Sequence, residues 1–266
     1  MTDESTPLSF PTSIGSSTPT TMSLLGHDMA TEMLGQVGFS ELCLWLMTGQ
    51  RPDAGQVPVF DAVMVALADH GLTPIAIASR LTYYSAPDSI QGALAAGLLG
   101  GGSRFLGVTE DTGRFLAQAL AGAESTPVDD ADFDALALAA LRTARAAHVL
   151  VPGLGHPVHK DGDPRTPVII RIAAESGHRG PQLRLFEAIG RMHPQVLGRT
   201  LPLNGAGVCG AALADIGVPV ELLRGAVLIA RCAGLLGHLR EEMQRPLGES
   251  IYMAVDRNAE YRPEEK

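Results

Sequence analysis

The stretch GLGHPVHKDGDPRTP, residues 153–167, sets two histidines, an arginine and two aspartates among glycines and prolines. Each residue type has a use there. Glycine lets the backbone approach a ligand closely. The His156 imidazole can donate to a carbonyl oxygen, and Arg165 carries a planar fork that grips a carboxylate bidentately. Together they point to a ligand that carries a carbonyl and a carboxylate. An isolated histidine favours a surface loop with incidental charges; the combination GLGH…DPR reverses that preference. His156 and His159 are three apart, but prolines surround them, and no His/Cys pair has zinc spacing, so no metal site is expected. Gly100, Gly101 and Gly102 are followed by no GK[ST] and read as a helix stop rather than a phosphate loop.

The elements that must position these groups read as helices. FSELCLWLMTG gives a short helix, with Ser40 as its expected N-cap and Gly49 as its stop. VPVFDAVMVALADHG places Pro58 in a first turn, Leu67 on the apolar face and His70 at the C-terminal end. SIQGALAAGLLGGG is a helix of small residues ending at the glycines. DDADFDALALAALRTARAAHVL carries acids at its start and Arg and His near its end, as the helix dipole prefers. The longest helical run spans Val218 to Gln244, and on it Arg231 and His238, seven apart, share a face. AGAESTPVDD, residues 121–130, reads as a loop or linker. The first 20 or so residues and the last ten lack helical period, so an arm is expected at the N-terminus.

Composition narrows the class. With 266 residues, 45% apolar, the chain can bury a large core, and only 5% aromatics among much Ala, Leu and Gly favours packed helices over a sandwich of strands. An all-α fold is expected. The net charge of −9 has no basic stripe, which argues against a nucleic-acid partner. Cys43, Cys209 and Cys232, an odd count in apolar stretches, read as reduced thiols and suit the cytoplasm. No apolar run reaches membrane-spanning length, and no export signal is expected at the N-terminus.

GLGHPVHKDGDPR resembles the GxGHxVxKxxDPR signature of the citrate synthase superfamily, which includes citryl-CoA lyases and the C-terminal part of ATP-citrate lyase. The resemblance extends over most of the chain: GFSELCLWLMTGQRPD, LADHGLTPIAIASRLT and LPLNGAGVCGAALADIGVP are each similar to a segment of that family. The short length and SAPDSIQGALAAGLLGGGSRFLG are closer to the lyases. The resemblance implies a large helical domain, here 21–107 and 206–266, a smaller inserted one, 108–205, a cleft between them, and a dimer or higher homo-oligomer. It makes His156 the group that handles the ketone or tertiary hydroxyl and His70 a contact to the dicarboxylate. Arg165 and Arg231 become the carboxylate-binding arginines, and Arg245 the candidate for an arginine supplied by the other subunit. Gly153, Leu154 and Gly155 would lie against a coenzyme A thioester, which is substrate rather than resident cofactor.

Two positions depart from the pattern. Phe105 stands where synthases place a histidine on the thioester enolate, and Ala206 where the family aspartate moves a proton on the acetyl carbon. Losing an oxyanion donor costs about 10²–10³ in rate, and losing a positioned acid or base about 10²–10⁴. Asn204 and Ser103 are near in sequence and are candidates to help. Three readings follow: citryl-CoA lyase-type cleavage to acetyl-CoA and oxaloacetate, the forward acyltransferase reaction, and a non-catalytic relative that binds a dicarboxylate or CoA ester.

Overall fold

The computed structural model describes residues 8–156 and 160–264; His159 lies outside them. The chain divides into two compact units, residues 1–53 and 54–266.

In the first unit, β1 (Gly15–Ser17), β2 (Met22–Leu24) and β3 (His27–Asp28) form an antiparallel sheet, with Gly15 opposite Leu24 and Ser23 opposite Asp28. The two-residue connection Leu25–Gly26 has φ of 52° and 83°, the mirror-image turn that matches strand twist. β1 falls within the stretch that reads as an arm in the sequence. Asp28 then accepts from the Ala30 and Thr31 amides to start a π-helical turn, Met29–Met33. Helix α1 (Phe39–Thr48) begins one residue before Ser40, so Gly38 stands at its cap and the expectation for Ser40 is corrected. Gly49 ends it at φ 71°, as the sequence indicates.

The second unit is helical: α2 (Gln56–Leu67), α3 (Pro74–Ser85), α4 (Ile90–Leu99), α5 (Gly107–Ala121), α6 (Asp130–Ala146), α7 (Arg165–Glu175), α8 (Pro181–Leu197), α9 (Gly205–Asp215), α10 (Leu223–Gln244) and α11 (Gly248–Asp256). Helix α9, GAGVCGAALAD, is apolar on all sides and almost wholly buried, as a central helix must be. Helices α2, α5, α7 and α8 pack around it, α6 lies on α8, and α10 packs against α2, α3, α4 and α5. Two glycines set the closest approaches: a Cβ on Gly210 of α9 would strike the Thr109 carbonyl of α5, and one on Gly234 of α10 would strike that of Ala68. Helix α10 therefore runs directly against the turn that follows α2.

Several termini are closed by carboxylates. Asp129 and Asp132 form a capping box on α6. Asp215, at the end of α9, accepts the Gly180, Gln182 and Leu183 amides at 3.0, 2.9 and 2.9 Å and so caps α8. Burial pushes its pKa up to about 6 against the pull of those three amides. Two boundaries differ from the sequence reading. Helix α2 stops at Leu67, leaving His70 in the following turn, where Gly71 takes φ 72°. Helix α10 starts at Leu223, because Pro219 opens a 3₁₀ turn over Val220–Leu222 instead.

Candidate active site

The GLGH stretch is held as a loop against the start of α9. Leu154 pairs with Leu203 in an isolated antiparallel bridge, and the Gly155 amide donates to the Pro202 carbonyl at 2.7 Å. Asn204 completes the seam. Its amide donates to the Gly153 carbonyl at 2.9 Å, its Nδ2 donates to the Gly155 carbonyl at 2.8 Å, and its Oδ1 accepts the Gly207 amide at 2.8 Å as the α9 N-cap. These bonds make Asn204 a support of the loop rather than a proton donor. Gly153 and Gly155 both take positive φ, 83° and 85°. At Gly153 no side chain fits, since a Cβ would sit 2.6 Å from the Phe186 ring and 3.2 Å from the Gly207 backbone.

This loop, the α2–α3 turn, the first turns of α5 and α9, and the middle of α10 enclose a cavity of about 480 Å³. His70, His156, Arg165 and Arg231, drawn from four separated parts of the chain, all line it, and so do Gly153, Leu154, Gly155, Phe105 and Ala206. The His70 and His156 rings stand 6.1 Å apart, centre to centre, tilted by 31°. Arg245 caps the C-terminal end of α10, is exposed, and does not line its own chain's cavity; nor does Ser103.

Arg165 is more constrained than its sequence suggests. Its Nε and Nη2 donate to Asp163 at 3.0 and 2.8 Å, and its Nη1 donates to the Ala66 carbonyl in the last turn of α2 at 3.1 Å. The side of the fork that the sequence reading offers to a ligand is thus taken by Asp163. One N–H remains on each terminal nitrogen. Asp163 also accepts the Arg165 and Gly205 amides, at 3.1 and 2.7 Å, tying the start of α7 to the start of α9. Burial alone would push its pKa up, but the Arg165 guanidinium and the two amides hold it well below the usual carboxylate range.

Arg231 is the complementary case. Its side chain is 7% exposed, its Nε has no hydrogen-bond partner, and Asp69 stands 3.9 Å from its Nη1. Burial pulls its pKa down, Asp69 opposes this, and the charge of Arg165 adds to it. Two guanidiniums that feel each other across a cavity attract an anion to lie between them. Asp69 in turn accepts from His238, whose Nε2 lies 2.8 Å away, and the Nδ1 of that ring accepts from Arg80 of α3. Arg80 is fully buried and ion-paired with Glu242 at 3.1 Å and with Glu241. Arg231 and His238 therefore do share a face of α10, directed at one carboxylate, as their spacing indicates.

Three side chains at the site had weak sequence signals. Asp163 precedes a helix by two residues, a position where an acid commonly closes backbone amides. Asp111 and Arg104, both lining the cavity, read as ordinary charges on and before an amphipathic helix. Cys209 lies behind Arg165 in α9; complete burial raises its thiol pKa to about 12, so it is an inert packing group. Among the described residues, no group of three or more His, Cys, Asp or Glu is placed to hold a metal, and no helix is long and apolar enough to cross a membrane.

Comparison with known proteins places this arrangement. A citrate synthase of Haloferax volcanii is 23% identical over 209 residues, which are 76% of this chain and 50% of that protein, so the chain spans about half the length of that curated relative. The structure of citryl-CoA lyase from Hydrogenobacter thermophilus matches with a TM-score of 0.84 and 25% identity, covering 97% of this chain and 96% of that one. ATP citrate lyase from Methanothrix soehngenii, in complex with citrate and coenzyme A, matches with a TM-score of 0.74 and 18% identity over 99% of this chain and 43% of that one. The profile of the citrate synthase C-terminal domain family matches residues 17–252, nearly the whole chain, and the protein belongs to that family.

Proposed function

We propose that the cavity cleaves citryl-CoA, or a related 3-hydroxy-3-carboxyacyl-CoA, to acetyl-CoA and oxaloacetate or its analogue. The observation that carries this reading is the convergence of two imidazoles and two guanidiniums on one cavity, in a chain whose fold matches a citryl-CoA lyase along almost its full length. The carboxylates of the substrate lie against Arg231, whose Nε lacks a partner, and against the two remaining N–H groups of Arg165. His156 takes the tertiary hydroxyl proton. The C–C bond then breaks, its electron pair passes to the thioester as an enolate, and the alkoxide carbon becomes the ketone of the oxo acid. His70, beside His156, donates to a carboxylate. The thioester arm runs along Gly153–Gly155, where the absence of side chains opens the backbone to it. A homodimer acting in the cytoplasm is part of this reading.

The test is acetyl-CoA release from citryl-CoA by the purified protein. His156→Ala should lower it by about 10²–10⁴ while binding of oxaloacetate persists. A folded protein that releases none, with no change on His156→Ala, refutes the lyase. The likeness to the Haloferax citrate synthase favours a second reading, the forward condensation, and thiol release from acetyl-CoA plus oxaloacetate measures it directly. Ala206 in the cavity wall favours the third, binding alone; calorimetric binding without turnover in either direction identifies it.

A further inference from the structure

Enolate release leaves a chemical requirement that the groups named so far do not meet: a proton must reach the acetyl carbon. His156 holds the hydroxyl proton on the oxygen side of the breaking bond, from where it needs a carrier to the acetyl carbon, and guanidiniums do not give up protons at neutral pH. Ala206 offers nothing. Among the described residues lining the cavity, one carboxyl group is present, that of Asp111.

Its placement fits the task. Asp111 lies in the second turn of α5, and its Oδ2 reaches back over the first turn to within van der Waals distance of where a Gly107 side chain would begin. Phe105, two residues before Gly107, lines the same cavity as Asp111. The wall carrying Asp111 is brought against α9 by the contact of Gly210 with the Thr109 carbonyl, one turn beyond Ala206. Arg224 also borders Gly107 but pairs with Glu110 at 2.8 Å, and Arg114 pairs with Glu110 at 2.9 Å. The Asp111 carboxylate itself enters no hydrogen bond or ion pair with a described residue, unlike Asp163, held by the Arg165 guanidinium and two amides, and Asp215, held by three amides.

Resting on the lyase reading above, we infer that Asp111 is a catalytic residue that protonates the acetyl-CoA enolate from the α5 wall, the role for which Ala206 has no side chain. The balance closes. The hydroxyl proton goes to His156, the imidazolium passes it through water to the Asp111 carboxylate, the C–C electron pair goes to the enolate, and the enolate carbon takes the proton from Asp111, which ends the cycle as the carboxylate it began. Nothing is oxidised or reduced, and substrate and products differ by no atom.

The experiment uses the full chain and three assays: citryl-CoA cleavage, oxaloacetate binding by calorimetry, and exchange of acetyl-CoA methyl hydrogens in deuterium oxide with oxaloacetate present. Asp111→Asn should lower kcat by about 10²–10⁴, leave KM and oxaloacetate affinity within roughly threefold, and lose the methyl exchange that wild type catalyses. Asp111→Glu should keep part of both activities, which guards against a folding defect in the amide variant. An active wild type with Asp111→Asn unchanged in cleavage and exchange overturns the inference and leaves the lyase standing. A wild type that neither cleaves nor exchanges overturns both.

Discussion

Asp163 and Arg165 are two residues apart, and their pairing decides how firmly the site is held. Asp163 has 0% side-chain exposure and Arg165 25%, so the pair is screened less than a surface bridge. Replacing the carboxylate by an amide removes the charge opposite the guanidinium and sets an NH2 group against one of the N–H groups that Asp163 answers. Asp163→Asn should therefore lower unfolding stability by about 2–3 kcal/mol, below the figure for a fully buried pair because Arg165 still meets solvent. Its pH dependence has a definite sign. The folded-state pKa lies below the unfolded value of about 3.9, so the contribution is complete above that value and disappears as pH falls through and beyond it. Urea unfolding from pH 7 to pH 3 should show wild type losing stability at the acid end, and Asp163→Asn losing less of it. The same pair marks the limit of reading residues singly. The DPR triplet points to Arg165 as a carboxylate-binding group, and Arg165 lines the cavity, but two of its donors face an aspartate of its own loop. Side-chain competition of this kind depends on the local backbone path, which spacing alone does not specify.

At the scale of elements, helices with strong local signals were legible: α6 with its acidic start, α4 ending at Gly100, and α10 with one face aimed at Asp69. The strands were not, because runs of two or three residues carry no usable alternation. His70 was found, but in a turn rather than on α2, since the turn is fixed by Gly71 and by Asp69 accepting the Gly71 amide at 2.8 Å. The loop of residues 151–156 is the element on which the site depends most. It lies backbone to backbone with α9, and Gly153 is where they meet. Gly153→Ala would place a methyl group against Phe186 and Gly207 at a positive φ. Strain of about 1 kcal/mol and overpacking of about 1–3 kcal/mol should lower stability by about 2–4 kcal/mol. Because His156 is three residues on, the CoA-ester KM should rise as well. An alanine variant with unchanged melting temperature and KM would mean that the loop is not seated on α9 in solution.

For the molecule as a whole, the sequence supplied the fold class and four of the cavity's side chains. It also supplied an arginine that the single chain does not use. Arg245 sits exposed at the end of α10, outside its own cavity, while Ile229, Leu236 and Met243 are exposed at seven-residue intervals along the same helix. A stripe of that spacing lies on one side of a helix and suits burial against a second copy. If the copies exchange Arg245, each complete site needs a cavity from one chain and an arginine from the other. His156→Ala and Arg245→Ala homodimers should each then be impaired. After unfolding together and refolding, mixed dimers gather both lesions in one site and leave the other intact, so activity should recover to roughly a quarter of wild type. Sedimentation of the wild type at twice the chain mass is the companion measurement. Monomeric wild type, or a mixture no more active than its parents, would confine Arg245 to the surface of its own chain and leave the anion to Arg165 and Arg231 alone.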